Sequence, residues 1–235
     1  MKYLKQFWPI YLAAACIFIG ISMLGNDAVT TIAEALPPER EVVFIIDAGH
    51  GGEDGGAVSC TGAKESAINL QIALKLNDLL HLLGHETKMV RTEDISIHTS
   101  GTTVAARKAS DLRQRAAIVN DTENAVLISI HQNFFPQSQY SGAQMFYNAH
   151  DEAKELAQQL QESFATALNE GNKRQIKPVE GIYLMDHINS PGVLVECGFL
   201  SNPQEEAKLR DDAYQKKIAC VIASALVTLD YQTND

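Results

Sequence analysis

The chain has 235 residues, of which 19 are basic and 29 are acidic, giving a formal net charge of −10. Phosphate binding requires basic surface, so this composition argues against nucleic acid as a ligand. The four cysteines form no C-x-x-C pair and no regular framework, which excludes a cysteine-rich zinc site and a disulfide scaffold.

The amino-terminal segment is apolar and long enough to span a membrane. No charged side chain occurs between residues 6 and 26, and about 18 apolar residues suffice for a spanning helix. Lysines precede this run and acidic residues follow it, which favours an amino terminus inside the cell and a remainder outside it. We therefore predict a signal-anchor at 1–26, a tether at 27–40, and one folded domain at 41–235 outside the cytoplasm. An uncleaved anchor is preferred, because no clear small-x-small cleavage site follows at the usual distance, although Ala28 and Ala35 leave cleavage open.

Three short apolar runs predict strands that are covered on both faces of a sheet. Each run leads into a residue suited to catalysis: 42–46 leads through DAGHGG to His50, 125–130 ends at His131, and 192–195 ends at Glu196. The ligand sites of open α/β sheets lie outside the carboxyl ends of the strands. These three side chains are therefore expected to converge.

A fourth candidate, Glu65, opens a predicted helix. Apolar side chains recur at helical spacing from Ile68 to Leu83, which predicts a helix over 64–83. A carboxylate in a first helical turn is also favoured by the helix dipole. Two imidazoles and one carboxylate are the ligand set of a hydrolytic zinc ion, and the second carboxylate is then free to act as a base.

Each of these residues also has an interpretation that involves no catalysis. A strand-end histidine can cap backbone groups, and Glu65 can be an ordinary first-turn acid. Glu196 can pair with an arginine such as Arg91, Arg113 or Arg115. The conjunction of all four favours catalysis, because a carboxylate among apolar neighbours is costly unless a cation or a catalytic use accounts for it.

Other titratable residues are weaker candidates. His81 and His85 have the i, i+4 spacing of a zinc pair, but the predicted helix ends between them at a glycine. Cys197 is expected to point away from Glu196, because neighbouring side chains of a strand alternate between faces.

The rest of the chain alternates predicted strands and helices. Further strands are predicted at 87–90 and 143–147, and further helices at 152–168 and 218–229. Another helix is predicted to pass through Leu112, Ala116 and Val119 and to lead into the His131 strand. Asn202, Pro203 and Glu205 predict a helix start with a cap, a first-turn proline and a reciprocal acid. This alternation predicts a single α/β domain with a mostly parallel, twisted sheet of about six strands and helices on both faces.

Within about residues 42–230 the chain contains, in this order, the strings IIDAGHGGEDGGA, KESAINLQIALKL, VLISIHQN, SGAQMFY and GVLVECGFLSNPQE. In content and order they resemble the motifs of the zinc-dependent N-acetylmuramoyl-L-alanine amidases, the peptidoglycan hydrolases called amidase 3. RKASDLRQR and GIYLMDHINSPG further resemble the CwlD-type amidases of endospore-forming bacteria. The family usually has proline where this chain has Ala48 and Gly55, so we expect a less rigid loop there.

The resemblance implies one zinc ion held by His50, Glu65 and His131, with Glu196 as the catalytic base. The implied substrate is peptidoglycan, cleaved at the amide between the lactyl group of N-acetylmuramic acid and the L-alanine of the stem peptide. The CwlD-type likeness implies action in the spore cortex, where muramic δ-lactam is formed for germination.

Supporting roles are predicted for three further residues. Arg115 lies on a helix before the His131 strand, where it can pair with a carboxylate; the alternative is a surface ion pair worth about 1 kcal/mol or less. Asn133 and His187 are candidates for substrate contact, and an exposed loop histidine is the alternative for His187. No second wall-binding module is evident, so targeting rests on the anchor, the groove or an activating protein partner.

Two alternative functions remain open on the sequence alone. A zinc carboxypeptidase would use a similar ligand set and cut within the stem peptide, but it should carry an arginine for a terminal carboxylate, which no motif reveals. A wall-binding domain would keep the fold without the reaction, although binding alone would not need a fourth catalytic residue.

Overall fold

The computed structural model describes residues 42–228. Its strands are β1 Val43–Ala48, β2 Glu86–Met89, β3 Ala125–Asn133, β4 Gln144–Tyr147, β5 Lys177–Pro178 and β6 Gly192–Phe199. Its helices are α1 Glu65–Leu82, α2 Val104–Asn120, α3 Asp151–Ala167, α4 Tyr183–Asp186, α5 Pro203–Leu209 and α6 Asp212–Thr228. The predicted anchor and tether lie outside the described residues. Between residues 42 and 228, none of the helices combines the length and apolarity that a bilayer crossing needs.

The strands form one mixed sheet. The sheet has six strands in the order β2-β1-β3-β6-β4-β5. The first four strands in this order are parallel to one another, whereas β4 is antiparallel to β6 and parallel to β5. The prediction of a mostly parallel sheet of about six strands is confirmed. The carboxyl ends of β1, β3 and β6 consequently lie side by side at one edge.

Helices cover both faces, because side chains of the central strands alternate between two cores. Ile46 packs on one face with Leu76 of α1, together with residues of α3 and α6. Ile45 packs on the other face with Val119 of α2, together with residues of α4. Both isoleucines are fully buried, and burying one such side chain contributes about 1.5–3 kcal/mol. The continuous apolar runs of the central strands follow from this two-sided burial.

Two central strands extend further than predicted. β3 continues beyond Ile130 to Asn133, and β6 continues beyond Val195. His131 and Glu196 are therefore inside strands, where they are direct partners in the parallel register. The register shifts immediately afterwards, between His131 and Asn133. A polar side chain does not stop a strand whose backbone groups still have a partner, which is why the predicted ends were too early.

The predicted cap of α5 is present, but its reciprocal acid is not. Asn202 Oδ1 accepts hydrogen bonds from Gln204 N at 2.9 Å and Glu205 N at 3.2 Å. The Glu205 carboxylate does not complete a capping box; it accepts from Phe199 N and Gly142 N, each at 2.8 Å. Glu205 thereby joins the start of α5 to the end of β6 and to the segment before β4. It takes this role because the backbone N–H groups of Phe199 and Gly142 lie within reach of its two carboxylate oxygens.

Candidate metal centre and active site

Three side chains from separate elements meet at the carboxyl edge of the sheet. Glu65 lies between two imidazoles: its Oε2 is 3.3 Å from His50 Nε2, and its Oε1 is 3.0 Å from His131 Nδ1. The ligand atoms of all three residues lie within 4.8 Å of one another, and no other such group is found among residues 42–228. The structure thus brings together the three predicted metal ligands.

The Glu65 carboxylate is held in place by three N–H donors. Its Oε2 accepts from Ala57 N at 2.9 Å, and its Oε1 accepts from Gln132 N at 3.1 Å and Asn69 Nδ2 at 3.2 Å. Gln132 lies at the register shift of β3, where an irregular ladder releases a backbone N–H from strand pairing. The irregularity therefore supplies a donor to a candidate metal ligand. Asn69, one helical turn after Glu65, was not predicted to take part.

The loop that carries His50 is clamped by two buried guanidinium groups. Arg115 donates to His50 O at 2.7 Å and to Ala48 O at 3.1 Å. Arg91 donates to Ala48 O at 2.8 Å and to Gly49 O at 3.1 Å. His50 has a φ of 63°, a left-handed conformation that costs a non-glycine residue of order 1–3 kcal/mol. The clamp on three successive carbonyls stabilises this conformation.

Arg115 is neutralised by two carboxylates. Its guanidinium contacts Asp47 and Asp111, and Ser129 donates to the second oxygen of Asp47 at 2.6 Å. Arg115 is only 2% exposed, so the alternative of a surface ion pair is wrong. Burial acts to raise the pKa of Asp47, but Arg115 and Ser129 outweigh it and hold that pKa below its ordinary value. Both charges of this pair are therefore retained in the interior.

An acid that was not predicted, Asp54, lies behind His50. Its Oδ2 is 3.0 Å from His50 Nδ1 and 2.8 Å from Lys108 Nζ. Burial acts to lower the pKa of His50, yet Glu65 and Asp54 raise it above its ordinary value. A carboxylate behind an imidazole is the usual support of a metal-binding histidine. The only sequence signal for Asp54 is its position four residues after His50 in GHGGED.

Two glycines make room for the ligands. A Cβ atom at Gly49 would lie 2.2 Å from His131 Nε2. A Cβ atom at Gly56, whose φ is +67°, would lie 2.6 Å from Glu65 Oε2. Any larger residue at either position would displace a ligand side chain.

Glu196 differs from the ligands because it is not held by hydrogen bonds. Its Oε2 is shielded from solvent and has no hydrogen-bond partner among the described residues. Burial raises the pKa of Glu196 to about 7, against a lowering influence of His131. The alternative of an ion pair between Glu196 and an arginine is not observed in the described part of the chain. Arg91 and Arg115 instead donate hydrogen bonds to carbonyls of the His50 loop. No hydrogen bond within the described domain therefore fixes this carboxylate in one protonation state.

The structure separates the two remaining candidates. Asn133 lies at the end of β3, two residues after His131, where its carbonyl accepts from Leu200 N at 2.8 Å. His187 lies before the start of β6, at the edge of the sheet opposite the metal centre. Its ring stacks on Tyr183 with 3.8 Å between centroids, and its carbonyl accepts from Asn120 Nδ2 at 2.9 Å. His187 is an exposed loop histidine, whereas Asn133 borders the site.

Other side chains are placed by the fold away from the cluster. His81 Nε2 contacts the Thr87 hydroxyl at 2.5 Å, and His85 packs edge-on against Phe44. Cys197 is buried in the core that contains α1, as expected from strand alternation with Glu196.

The donor set fits zinc. Zinc bonds of about 2.0–2.2 Å place tetrahedral ligands roughly 3.4 Å apart, and Glu65 lies 3.0 Å and 3.3 Å from the two imidazoles. His131 and His50 hold the pKa of Glu65 below its ordinary value despite burial, and Lys108 and His50 keep the pKa of Asp54 at about 2 despite burial. Both carboxylates are therefore ionised and supply negative charge. Imidazole with carboxylate is a ligand type that suits zinc.

A family model described as N-acetylmuramoyl-L-alanine amidase, Amidase_3, matches residues 44–228. The chain belongs to this family. The four catalytic candidates all lie inside the matched region, which extends over nearly all of the described domain. The carboxypeptidase-like and non-catalytic alternatives are therefore set aside.

Individual relatives agree with the family. The germination-specific N-acetylmuramoyl-L-alanine amidase of Bacillus subtilis is 39% identical over 197 residues, covering 82% of this chain and 81% of that protein. The CwlD amidase from Clostridioides difficile, solved in complex with the GerS lipoprotein, has a TM-score of 0.77 and 38% identity, covering 80% of this chain and 97% of that one. Another amidase, from Clostridium difficile 630, has a TM-score of 0.71 and 30% identity over 81% of this chain and 97% of its own. This amidase is thus a peptidoglycan hydrolase and a homologue of the germination-specific, CwlD-type enzymes.

Proposed function

We propose that this amidase cleaves the amide between the lactyl group of N-acetylmuramic acid and L-alanine with one zinc ion held by His50, Glu65 and His131. Bound zinc supplies an acidified water and polarises the scissile carbonyl. Glu196 accepts a proton from the attacking water and returns it to the departing amine of L-alanine. The observation that carries this assignment is the shielded, unpartnered Oε2 of Glu196 beside three fixed ligands.

The clamp around the His50 loop suggests the role of Arg115. Its hydrogen bond to His50 O links the left-handed turn to the buried Asp47 and Asp111. Ligands that are already positioned bind an ion without a further ordering cost. We infer that Arg115 is a positioning residue and that Asn133, at the rim of the site, contacts substrate.

The reaction is tested by digesting purified peptidoglycan with the protein, with and without a chelator. Mass analysis should show stem peptides with a free L-alanine amino terminus and glycan whose muramic acid has lost its peptide. Chelation should stop this release, and added zinc should restore it. Cleavage only within the stem peptide, or no release of stem peptide under any metal condition, would contradict the proposed reaction.

For location, we propose the predicted arrangement of anchor, tether and extracytoplasmic domain, with boundaries at 1–26, 27–40 and 41–235. The charge-free run between residues 6 and 26 supports it, and a short tether restricts the domain to wall near the membrane. Cell fractionation tests this: the full chain should sediment with membranes, and a chain without residues 1–26 should not. Equal membrane content of the two would contradict the anchor.

For the biological substrate, we propose the spore cortex, because the relative from Bacillus subtilis is a germination-specific amidase. Removal of the stem peptide would free the lactyl carboxylate that closes into muramic δ-lactam after deacetylation. Deleting the gene should yield spores without δ-lactam that fail to complete germination. Mutant cortex with normal δ-lactam would reject the spore assignment and leave the amide cleavage intact.

We also propose an activating protein partner, since the similar CwlD structure was solved with a lipoprotein bound. The purified amidase should then release less peptide from isolated cortex than the same amount of enzyme in extracts of sporulating cells. Equal release in both would contradict a required partner.

A further inference from the structure

One arginine at the active-site edge is held entirely by uncharged groups. Arg174 lies between α3 and β5, and its guanidinium carbon is 4.6 Å from the centroid of the Phe199 ring. Its Nε donates to Ser141 O at 2.9 Å, and its Nη1 donates to Gln144 Oε1 at 3.2 Å. A ring, a carbonyl and an amide thus fix the orientation of this cation without neutralising it.

Strand pairing places this cation next to the catalytic carboxylate. Gln144 is the direct antiparallel partner of Glu196, and such partners project from the same face with Cβ atoms about 4.5–5.5 Å apart. Arg174 contacts the end of the Gln144 side chain, so one side chain separates the guanidinium from Glu196. Phe199, on which Arg174 stacks, ends the same strand three residues later.

The charge of Arg174 is not balanced within residues 42–228. Among the other cations around the centre, Arg107 pairs with Glu53, Lys108 with Asp54, and Arg115 with two aspartates. Arg91 has no carboxylate partner in this range either, but all three of its guanidinium nitrogens donate to backbone carbonyls. Arg174 has no carboxylate within 4.0 Å in the described domain, and its Nη2 atom donates no hydrogen bond there. The protein has a net charge of −10, and Arg174, unlike Arg91, has both an unbalanced charge and a nitrogen that donates no hydrogen bond in the described domain, which indicates an anion that comes from outside.

Exposed aromatic rings continue outward from this arginine. Tyr140 lies 6.3 Å from Phe199 and 5.0 Å from Phe135 between ring centroids. Tyr140 is 38% exposed and Phe135 is 44% exposed. The surface therefore combines a fixed cation with a short aromatic floor, which suits a peptide carrying a carboxylate.

We propose that Arg174, supported by the Phe199 ring, binds the carboxylate of the acidic residue that follows L-alanine in the stem peptide, with Tyr140 as the floor of this subsite. This rests on the proposed function, in which Glu196 protonates the leaving amine. In the sheet, β6 lies between β3, which carries His131, and β4, which carries Gln144. Glu196 protonates the leaving amine, so the leaving peptide lies next to Glu196 on β6. From Glu196, the direction away from His131 and the metal crosses β4 and leads to Arg174.

The test compares two synthetic muramoyl dipeptides whose second residue carries either a free α-carboxylate or its amide. A charge-assisted hydrogen bond contributes about 1.5–3 kcal/mol, so the zinc-loaded wild type should prefer the acid in kcat/KM by about tenfold to a hundredfold, mainly through KM. Arg174→Gln should abolish this preference while keeping zinc content and melting temperature. Lys173→Gln removes an adjacent exposed charge and should retain the preference.

Direct binding gives a second measurement that needs no turnover. Calorimetry with the product dipeptide and its amide should show the same acid preference in the wild type, its loss in Arg174→Gln, and partial retention in Arg174→Lys. Equal affinity for acid and amide in the wild type, or an unchanged preference in Arg174→Gln, would overturn the subsite. If peptidoglycan loses no stem peptide at all but the acid preference in binding persists, the proposed reaction fails and the subsite stands.

Discussion

The two halves of the active site are built in opposite ways. Around the metal ligands, both carboxylate oxygens of Glu65 accept hydrogen bonds, and the carbonyl of His50 is held by a buried guanidinium. Around Glu196, a shielded oxygen has no partner in the described domain. Side chains that hold an ion gain from being fixed beforehand, whereas a side chain that transfers a proton must remain available to substrate and water.

The largest effect is expected when a member of the fixed half is removed. His50→Ala or His131→Ala should abolish zinc binding and measurable amide cleavage, because two remaining ligands compete poorly for the ion. Metal analysis of the purified variants, together with peptide release, measures both. His150→Gln is a suitable control, since His150 precedes α3 without a side-chain cap bond and lies outside the cluster. Full zinc occupancy and activity in both alanine variants would contradict the assignment of His50 and His131 as metal ligands.

The next largest effect is expected at Glu196, the active-site side chain that no hydrogen bond holds within residues 42–228. Glu196→Gln should reduce kcat by about a hundredfold or more, because an amide of the same shape cannot accept the proton. Zinc content and the unfolding midpoint should stay at wild-type values. The comparison of the two halves breaks down if this variant loses its zinc, because Glu196 would then be a ligand and the roles of Glu65 and Glu196 would have to be exchanged.

A smaller effect on activity but a large one on stability is expected at the clamp. Arg115→Ala should lower the free energy of unfolding by about 3–5 kcal/mol, since it leaves a buried aspartate unpaired. Urea denaturation measures this change. Arg113→Ala, on the exposed side of the same helix, should change stability by about 0.5 kcal/mol or less. A similarly small change in the free energy of unfolding of both variants would show that the Arg115 clamp contributes little to the stability of the metal-ligand region.

The smallest effect is the pH dependence of the stability that the Arg115–Asp47 ion pair contributes. Because the folded-state pKa of Asp47 lies below its ordinary value of 3.8, its stabilisation is complete above that value and is lost as the pH falls through the folded-state pKa. The difference in unfolding free energy between wild type and Asp47→Asn should be constant from about pH 7 to 5 and shrink below about pH 4. Asp186→Asn, at an exposed position, should show no such trend. A difference that grows on acidification would contradict the ion pair.

Local patterns in the chain were sufficient to predict the framework. The apolar runs identified β1, β3 and β6, and the helical spacing after Glu65 placed α1 within one residue of its observed ends. The residue types at strand ends also identified His50, His131 and Glu196. These features were predictable because side-chain periodicity and two-sided burial depend on neighbours in sequence.

Features that depend on distant residues were not predictable. β5 and α4 contain two and four residues, too few to show a period, and the antiparallel direction of β4 depends on which strand it meets. Asp54 and Asn69 are polar residues with no distinguishing pattern, and only their positions beside the ligands show that they support the site.

The sequence by itself determined the residue types of the metal centre, the order of its motifs and the two-sided burial of the sheet that carries them. Only the tertiary structure decided that Arg115 is buried against Asp47, 68 residues away in the chain. It also decided that Arg174 contacts Gln144, the strand partner of Glu196, and has no acidic partner among residues 42–228. The physical reason is that charge pairing and desolvation depend on distance in space, and distance in space is set by packing between elements far apart in the chain.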